Sequence, residues 1–429
     1  MRFQNIIYAI ALVLFANCAK NKENVRITEK NDYEAFLNVS QDSVLNKTNI
    51  NLSFWKQKLE KEPTQYPYLS KIATIQTKLF TITGDINYLK EAEQNLVEAN
   101  KKATTTSHLR ALARNYISQH KFKNALTILE KAEENGENLS YTQKMLFDVH
   151  LELGNYETAE KYLASIYKVS DFGYLIRAAK WNDHIGDLQT AINLMEKALV
   201  IAESKKDAGL IIWSYTNLAD FYGHNNQIEK SYEYYLKSLE IDPNNTYAKK
   251  GIAWIVYSHE NNPEEALRIL NIIKEQNASP DYSLFKAELA EYMNDSDKKE
   301  QYIQDFLSSV KNKHYGVMYH QHKAKVLLDE LDNKEEALKI VEEEIKNRAT
   351  PQSYDLLAWV FYKNGNMKES LFIADKYVAG KSFEPEVLYH LAEIYKANKL
   401  HKKVVDIKNQ LLESSYELGP VTYNKIQNL

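Results

Sequence analysis

Residues 214–245 read SYTNLADFYGHNNQIEKSYEYYLKSLEIDPNN, and their spacing decides the fold. Leu218, Ala219 and Tyr222 share one helical face, because residues three and four apart lie one above the other on a helix. The polar run His224-Asn225-Asn226 interrupts that face. A second apolar face then follows through Ser231, Tyr235 and Leu239, and Pro243 closes it. Each helix carries one small residue on its apolar face, Ala219 and Ser231. Two helices that place small side chains opposite one another can cross closely.

The same phrase recurs along the chain. Aligned on the small residue of the second helix, the copies fall at Ala92, Ala125, Ala159, Ala191, Ser231, Ala266, a degenerate copy near Gln301, then Ala337, Ser370 and Val404, 32 to 40 residues apart. Twelve residues before them stand first-helix partners, among them Ala113, Ala179, Ala219, Ala358 and Ala392. Polar turns such as Gly154-Asn155, Gly186-Asp187 and Gly365-Asn366 lie between. This pattern resembles the tetratricopeptide repeat, a helix-turn-helix unit of about 34 residues. The resemblance runs from about Leu69 to Leu412 and implies an all-α fold, an α-solenoid in which helix-turn-helix repeats stack into a right-handed superhelix. It also implies first helices on the concave side and a groove that binds a peptide or partner protein. Phe147 and Trp254 stand where small residues are usual, and the copy from Tyr282 to Val310 matches poorly.

Composition agrees with helices joined by short turns. Only 12 Gly and 8 Pro punctuate 429 residues, too few for the turns of an all-β fold. The 30 Tyr are expected to fill grooves between packed helices. With 54 basic and 58 acidic residues, net charge −4, the chain has no positive excess to neutralise phosphates, which disfavours nucleic-acid binding. No Gly-rich phosphate loop, nucleophile elbow, Cys pair or His-Glu-x-x-His is present. The expectation is therefore a non-enzyme with no cofactor and no metal site.

The amino terminus reads as an address. The apolar run Ile6 to Ala16 is too short to span a bilayer, which takes about 20 residues, and suits a signal peptide over residues 1–17. It ends at Cys18, the single cysteine. The stretch Leu14-Phe15-Ala16-Asn17-Cys18 resembles a bacterial lipobox, although Asn17 replaces the usual small residue. That resemblance implies a TPR lipoprotein acylated at Cys18 and held in the bacterial cell envelope, the outer membrane before the inner. Residues 18–50 read as a flexible polar stalk. Within it, Asp42-Ser43-Val44 resembles an O-glycosylation sequon. A leading cap helix and about ten helix pairs occupy residues 51–412, and residues 413–429 read as a polar cap or tail.

In the family's register several first-helix positions face the groove: Lys180, Asp183 and His184 in one repeat, Trp213, Asp220 and His224 in the next, and Ser258 and His259 in the third. Three successive repeats thus carry a histidine at one equivalent position, which suggests a polar strip whose charge changes with pH. The family's terminal-carboxylate clamp requires Lys and Asn four residues apart; here Lys144 is followed by Asp148, so a chaperone-tail receptor is not expected. The favoured reading is a membrane-tethered scaffold that binds a protein partner. The alternative is a solute- or metal-binding envelope lipoprotein that hands its ligand to a transporter.

Overall fold

The computed structural model describes residues 26–429, so the signal peptide and Cys18 lie outside the described residues. The described chain is helical throughout. After α1 (Lys30–Leu37) and α2 (Asp42–Lys61) come the first four pairs: α3 and α4 (Tyr66–Thr83, Ile86–Lys102), α5 and α6 (Thr106–Ser118, Phe122–Glu134), α7 and α8 (Leu139–Glu152, Tyr156–Ser165), α9 and α10 (Phe172–His184, Leu188–Ser204). The fifth to seventh are α11 and α12 (Ala208–His224, Ile228–Ile241), α13 and α14 (Thr246–Ser258, Pro263–Gln276), α15 and α16 (Asp281–Tyr292, Ser296–Val310). The last three are α17 and α18 (His320–Asp329, Lys334–Asn347), α19 and α20 (Pro351–Lys363, Met367–Ile373), α21 and α22 (Pro385–Ala397, His401–Glu413), followed by α23 (Ser415–Gln427).

Side-chain caps start many of these helices: Asp207 accepts from the Leu210 amide at 3.1 Å, and Asn262 from that of Glu265 at 3.1 Å. Within each pair one turn residue adopts a left-handed φ: Gly84, His120, Gly154, Gly186, Asn226, Asn261, Asn294, Asp332, Gly365 and Lys399. These ten turns mark the ten pairs. In eight pairs the small residue of the second helix follows its left-handed residue by five positions, as Ala159 follows Gly154 and Ser231 follows Asn226. Ala125, Ala159, Ala191, Ser231, Ala266, Ala337 and Ser370 are all fully buried, as are Ala113, Ala179, Ala219, Ala358 and Ala392 on the first helices.

The seventh pair corrects the expected register. Gln301 is exposed. The five-residue spacing from Asn294 points to Lys299, whose ammonium bridges Glu291 at 2.8 Å and Glu330 at 2.7 Å. A salt bridge thus stands where eight other pairs place a small side chain, so no small-residue signal exists to read.

A second correction concerns the stalk. From residue 26 the segment read as flexible is ordered and clamped to the outer helices α12 and α14. Tyr33 and Leu37 are buried with Tyr232 and Ile269. The amides of Ile27 and Thr28 donate to Glu260 Oε1 at 2.8 and 2.6 Å, and Arg268 pairs with Glu34 at 2.6 Å. The Asp42-Ser43-Val44 stretch forms the first turn of α2. The polar composition hid the short apolar triad Tyr33, Phe36 and Leu37, which finds its partners more than 190 residues away.

The superhelix closes on itself. The turns of early pairs and the residues beside them touch the helix ends and links of later ones: Ala278 N donates to Thr83 O at 2.7 Å, Lys123 Nζ to Lys346 O at 2.5 Å, and Asn226 Nδ2 to Glu413 O at 2.7 Å. One coil therefore takes about 190 to 220 residues, and successive coils are in contact. Gly154 (φ +79) shows why glycine sits at such a turn, since an added Cβ would lie 2.8 Å from Ala349 O in the next coil.

This contact predicts a graded pair of mutants. Gly154→Ala combines left-handed strain with a clash, whereas Gly365→Ala (φ +78) meets nothing within 4 Å and carries strain alone. Urea unfolding should show a loss of about 1 kcal/mol for Gly365→Ala and a loss larger by about 1 kcal/mol or more for Gly154→Ala. Equal losses would mean that the coils do not touch there.

Candidate functional site

First helices line the inside of the coil, and the C-terminal segment runs among them. Residues 413–429, read as a polar cap or tail, cover the last pair as a cap does and also reach inside the coil to earlier first helices. Helix α23 contacts α11, α13, α15, α21 and α22. Leu418 and Ile426 are buried with Ala392 and Leu411. The segment breaks at Gly419 (φ 71°, ψ 163°), ahead of Pro420.

The inner wall holds this segment as it would hold a peptide. Tyr416 O accepts from Trp254 Nε1 at 3.0 Å and from Ser258 Oγ at 2.5 Å. The Tyr416 ring lies against Gly223, where an added Cβ would meet it at 2.5 Å. A Cβ on Gly419 would meet Glu288 Oε1 at 2.7 Å and the Trp254 ring at 3.1 Å. Tyr257 in turn donates to Glu288 at 3.1 Å. Glu417 lies 4.0 Å from His224 Nδ1, and Lys425 pairs with Glu291 at 3.1 Å. The grip thus combines a main-chain carbonyl, one ring socket and one glycine-only contact.

The eight expected groove residues separate into groups. Asp220, His224 and Ser258 meet around the C-terminal segment. Asp220 accepts from Tyr235 at 2.5 Å and Tyr247 at 2.7 Å, and burial raises its carboxyl above the usual range. Lys180, Asp183 and His184 line a neighbouring cavity of about 510 Å³. Trp213 lines a different cavity of about 1010 Å³, together with Tyr247, Tyr282 and Tyr319. His259 is the half-buried C-cap of α13.

The three histidines therefore occupy different surroundings. His184 packs on Tyr156 with ring centroids 4.4 Å apart, and burial with Lys180 beside it lowers its pKa. Lys180 keeps access to water in the lumen while pairing with Glu152 at 2.8 Å. Lys144 and Asp148 are both engaged, with Asp171 at 2.6 Å and Arg177 at 2.5 Å, so neither is available as a carboxylate clamp. Among the described residues no group of three or more His, Cys, Asp or Glu side chains is arranged to hold a metal ion.

With this geometry established, the tetratricopeptide repeat family model matches residues 214–245, the stretch that supplies Asp220, Gly223 and His224. The repeats are tetratricopeptide-like. Comparison with curated proteins returns no match. Among solved structures, yeast Tom70 is similar at 16% identity, covering 93% of this chain and 94% of that one, with a TM-score of 0.36. At that score the likeness carries no functional weight. The fold itself rests on ten tetratricopeptide-like pairs, each turned by a left-handed residue.

Gly223, Trp254, Glu288 and Tyr416 were missed as site residues. Gly223 offered a local signal: a glycine inside a helix costs about 1 kcal/mol, so its presence points to a close neighbour. Burial raises Glu288 from 4.5 to about 7, against the hydrogen bond from Tyr257. The stability linked to this carboxyl is fully present below the unfolded value and is lost as pH rises through the folded one. Glu288→Gln keeps an acceptor for Tyr257 and removes the ionisation. It should therefore stabilise the chain by about 1–2 kcal/mol at pH 8 and by a few tenths near pH 4.5, measured by urea titration. An equal effect at both pH values would place Glu288 in water.

Proposed function

We propose that this chain is a membrane-tethered scaffold that takes an extended segment of a protein partner on the first helices of its fifth to seventh pairs, where its own C-terminal segment now lies. The observation that carries the reading is the double donation of Trp254 and Ser258 to one main-chain carbonyl, Tyr416 O, beside a ring socket floored by Gly223. Donors aimed at a main-chain carbonyl hold a peptide without regard to the side chain at that position, and the socket adds selection for an aromatic neighbour. Repeat arrays of this kind generally bind proteins and do no chemistry. The other reading is a solute- or metal-binding lipoprotein that hands its ligand to a transporter; for its metal form, no group of three or more His, Cys, Asp or Glu side chains is arranged to hold an ion among the described residues.

The tether is the Cys18 lipid group, in a bacterial envelope membrane. No described helix is long and apolar enough to cross a membrane. The chain between Cys18 and Ile27 reaches at most about 30 Å. Because α1 is clamped to α12 and α14, acylation would hold the outer face of the fifth and sixth pairs near the bilayer and leave the lumen's mouths to the sides. Two acyl chains would make such attachment stable.

Two measurements test these halves separately. A chain ending after Glu413, with helicity checked by circular dichroism, should bind a fluorescent peptide of residues 414–429 saturably in an anisotropy titration, and Trp254→Ala should weaken that binding at least about tenfold, the value of one charge-free donor with its packing. No binding by the folded truncated chain would reject the peptide groove. Cys18→Ser should move the full chain from the membrane fraction to the soluble one and abolish acyl labelling. Retention of the Ser variant on washed membranes would reject the lipid tether.

A further inference from the structure

Helix α2 carries apolar side chains on two faces, where a surface helix needs one. On its packing face Thr48 and Leu52 are buried, and Leu45, Trp55 and Leu59 join Leu52 against Ile72, Ile75 and Leu79 of α3. Since α2 rests on α3 as each second helix rests on the following first helix, its far side belongs to the outside of the coil. That side should be polar throughout. Instead Ile50 is 71% exposed on it and Phe54 49%.

A helix turns by about 100° per residue, which puts Lys47, Ile50, Lys58 and Lys61 within roughly 40° of the line through Phe54 along this outer face. All five are exposed. The two carboxylates of the helix, Asp42 and Glu60, stand about a third of a turn away from Phe54. Among the described residues none of the three ammonium groups has an ion-pair partner; that of Lys58 lies over the Phe54 ring, 5.8 Å from its centroid. Beside the line, the rings of Phe54, Trp55 and Tyr68 form a row with neighbouring centroids 5.3 Å apart. In a chain of net charge −4, this face is a local excess of positive charge with two bare apolar side chains at its centre.

Those features select the partner. A protein interface of standard size buries about 800 Å² on each side around an apolar centre, and two apolar side chains set between lysines supply little of that. A bilayer with anionic headgroups needs no such area. Lysine stems lie along its boundary while the ammonium groups stay at the headgroups, aliphatic and aromatic side chains enter beside them, and Trp and Tyr rings settle at that depth. We propose that the outer face of α2 lies on an anionic bilayer surface, with Ile50 and Phe54 entering it and Lys47, Lys58 and Lys61 on its headgroups.

This inference deepens the lipid-tether reading and rests on it for bringing the chain to a membrane. Helix α1 and residues 38–41 join α2 to the segment that carries Cys18, and Gln276 Nε2 holds their link by donating to Val39 O at 3.3 Å. An acyl group alone leaves the coil free to swivel about its tether. A second contact at α2 fixes how the coil stands on the membrane, and each lysine adds to attachment in a salt-dependent way.

The test is sedimentation with vesicles of a chain that begins at Ala19, which keeps every described residue and leaves out both the acyl group and the apolar run Ile6 to Ala16. Saturable binding to phosphatidylglycerol vesicles is expected at low salt, lost at about 0.5 M salt and absent from phosphatidylcholine vesicles. Lys47→Glu with Lys58→Glu, and separately Ile50→Ser with Phe54→Ser, should each weaken it at least about tenfold at unchanged helicity. A charge-matched control, Lys161→Glu with Lys197→Glu on the exposed sides of α8 and α10, should change it less than about twofold. No binding to the anionic vesicles, binding that either α2 pair leaves intact, or an equal loss in the control overturns the proposal. Acyl labelling at Cys18 is read on the full chain, so each reading can fail without the other.

Discussion

The contact between successive coils is the constraint on which the rest of the molecule depends. A helix pair of this kind exposes an apolar face at each end of the stack, and neighbour stacking alone would give an open spiral. Here the left-handed turns of early pairs press on the links between later ones, as Gly154 does on Ala349 and Gly186 on Phe383. Closing the coil turns a groove into a lumen. Side chains on first helices then face one another across a confined space, where carboxylates such as Glu288 and Glu384 lose solvation and hold protons near neutral pH.

Closure also explains how the C-terminal segment can reach the fifth to seventh pairs. Asn226 meets Glu413 where the tenth pair ends, so the next residues start beside α11. From there Tyr416 needs only one helical turn to reach Gly223, Trp254 and Ser258. The segment belongs to the core as much as the repeats do: Tyr416 is buried with Ala219, Tyr235 and Ile252. A partner that enters this groove must displace a well-packed segment, so affinity in trans is reduced by the work of releasing it.

The parts of the fold legible in the sequence were those with a local period. Ala125, Ala159, Ala191 and Ser231 signalled helix crossings because close packing demands a small side chain whatever lies beyond, and Gly154-Asn155 and Gly186-Asp187 signalled turns. The seventh pair escaped because Lys299 replaces the small residue with ion pairs. The docking of α1 and of α23 escaped for another reason: their partners lie across a coil, and contacts of that separation leave no periodic trace. The groove residues show the same division. Asp220, His224 and Ser258 were placed on the inner wall by register alone, while two of their actual neighbours, Glu417 and Tyr416, required the closed coil.

The central claim is coil closure, and one distance reports it directly. Spin labels at Lys123 and Lys346, introduced as cysteines in a Cys18→Ser background that leaves no other thiol, flank a contact in which Lys123 Nζ donates to Lys346 O at 2.5 Å. Pulsed dipolar spectroscopy should give a single short, narrow distance distribution set by the length of the labels. A long, broad distribution in a chain of unchanged helicity would mean an open superhelix, and would contradict the lumen and everything placed inside it.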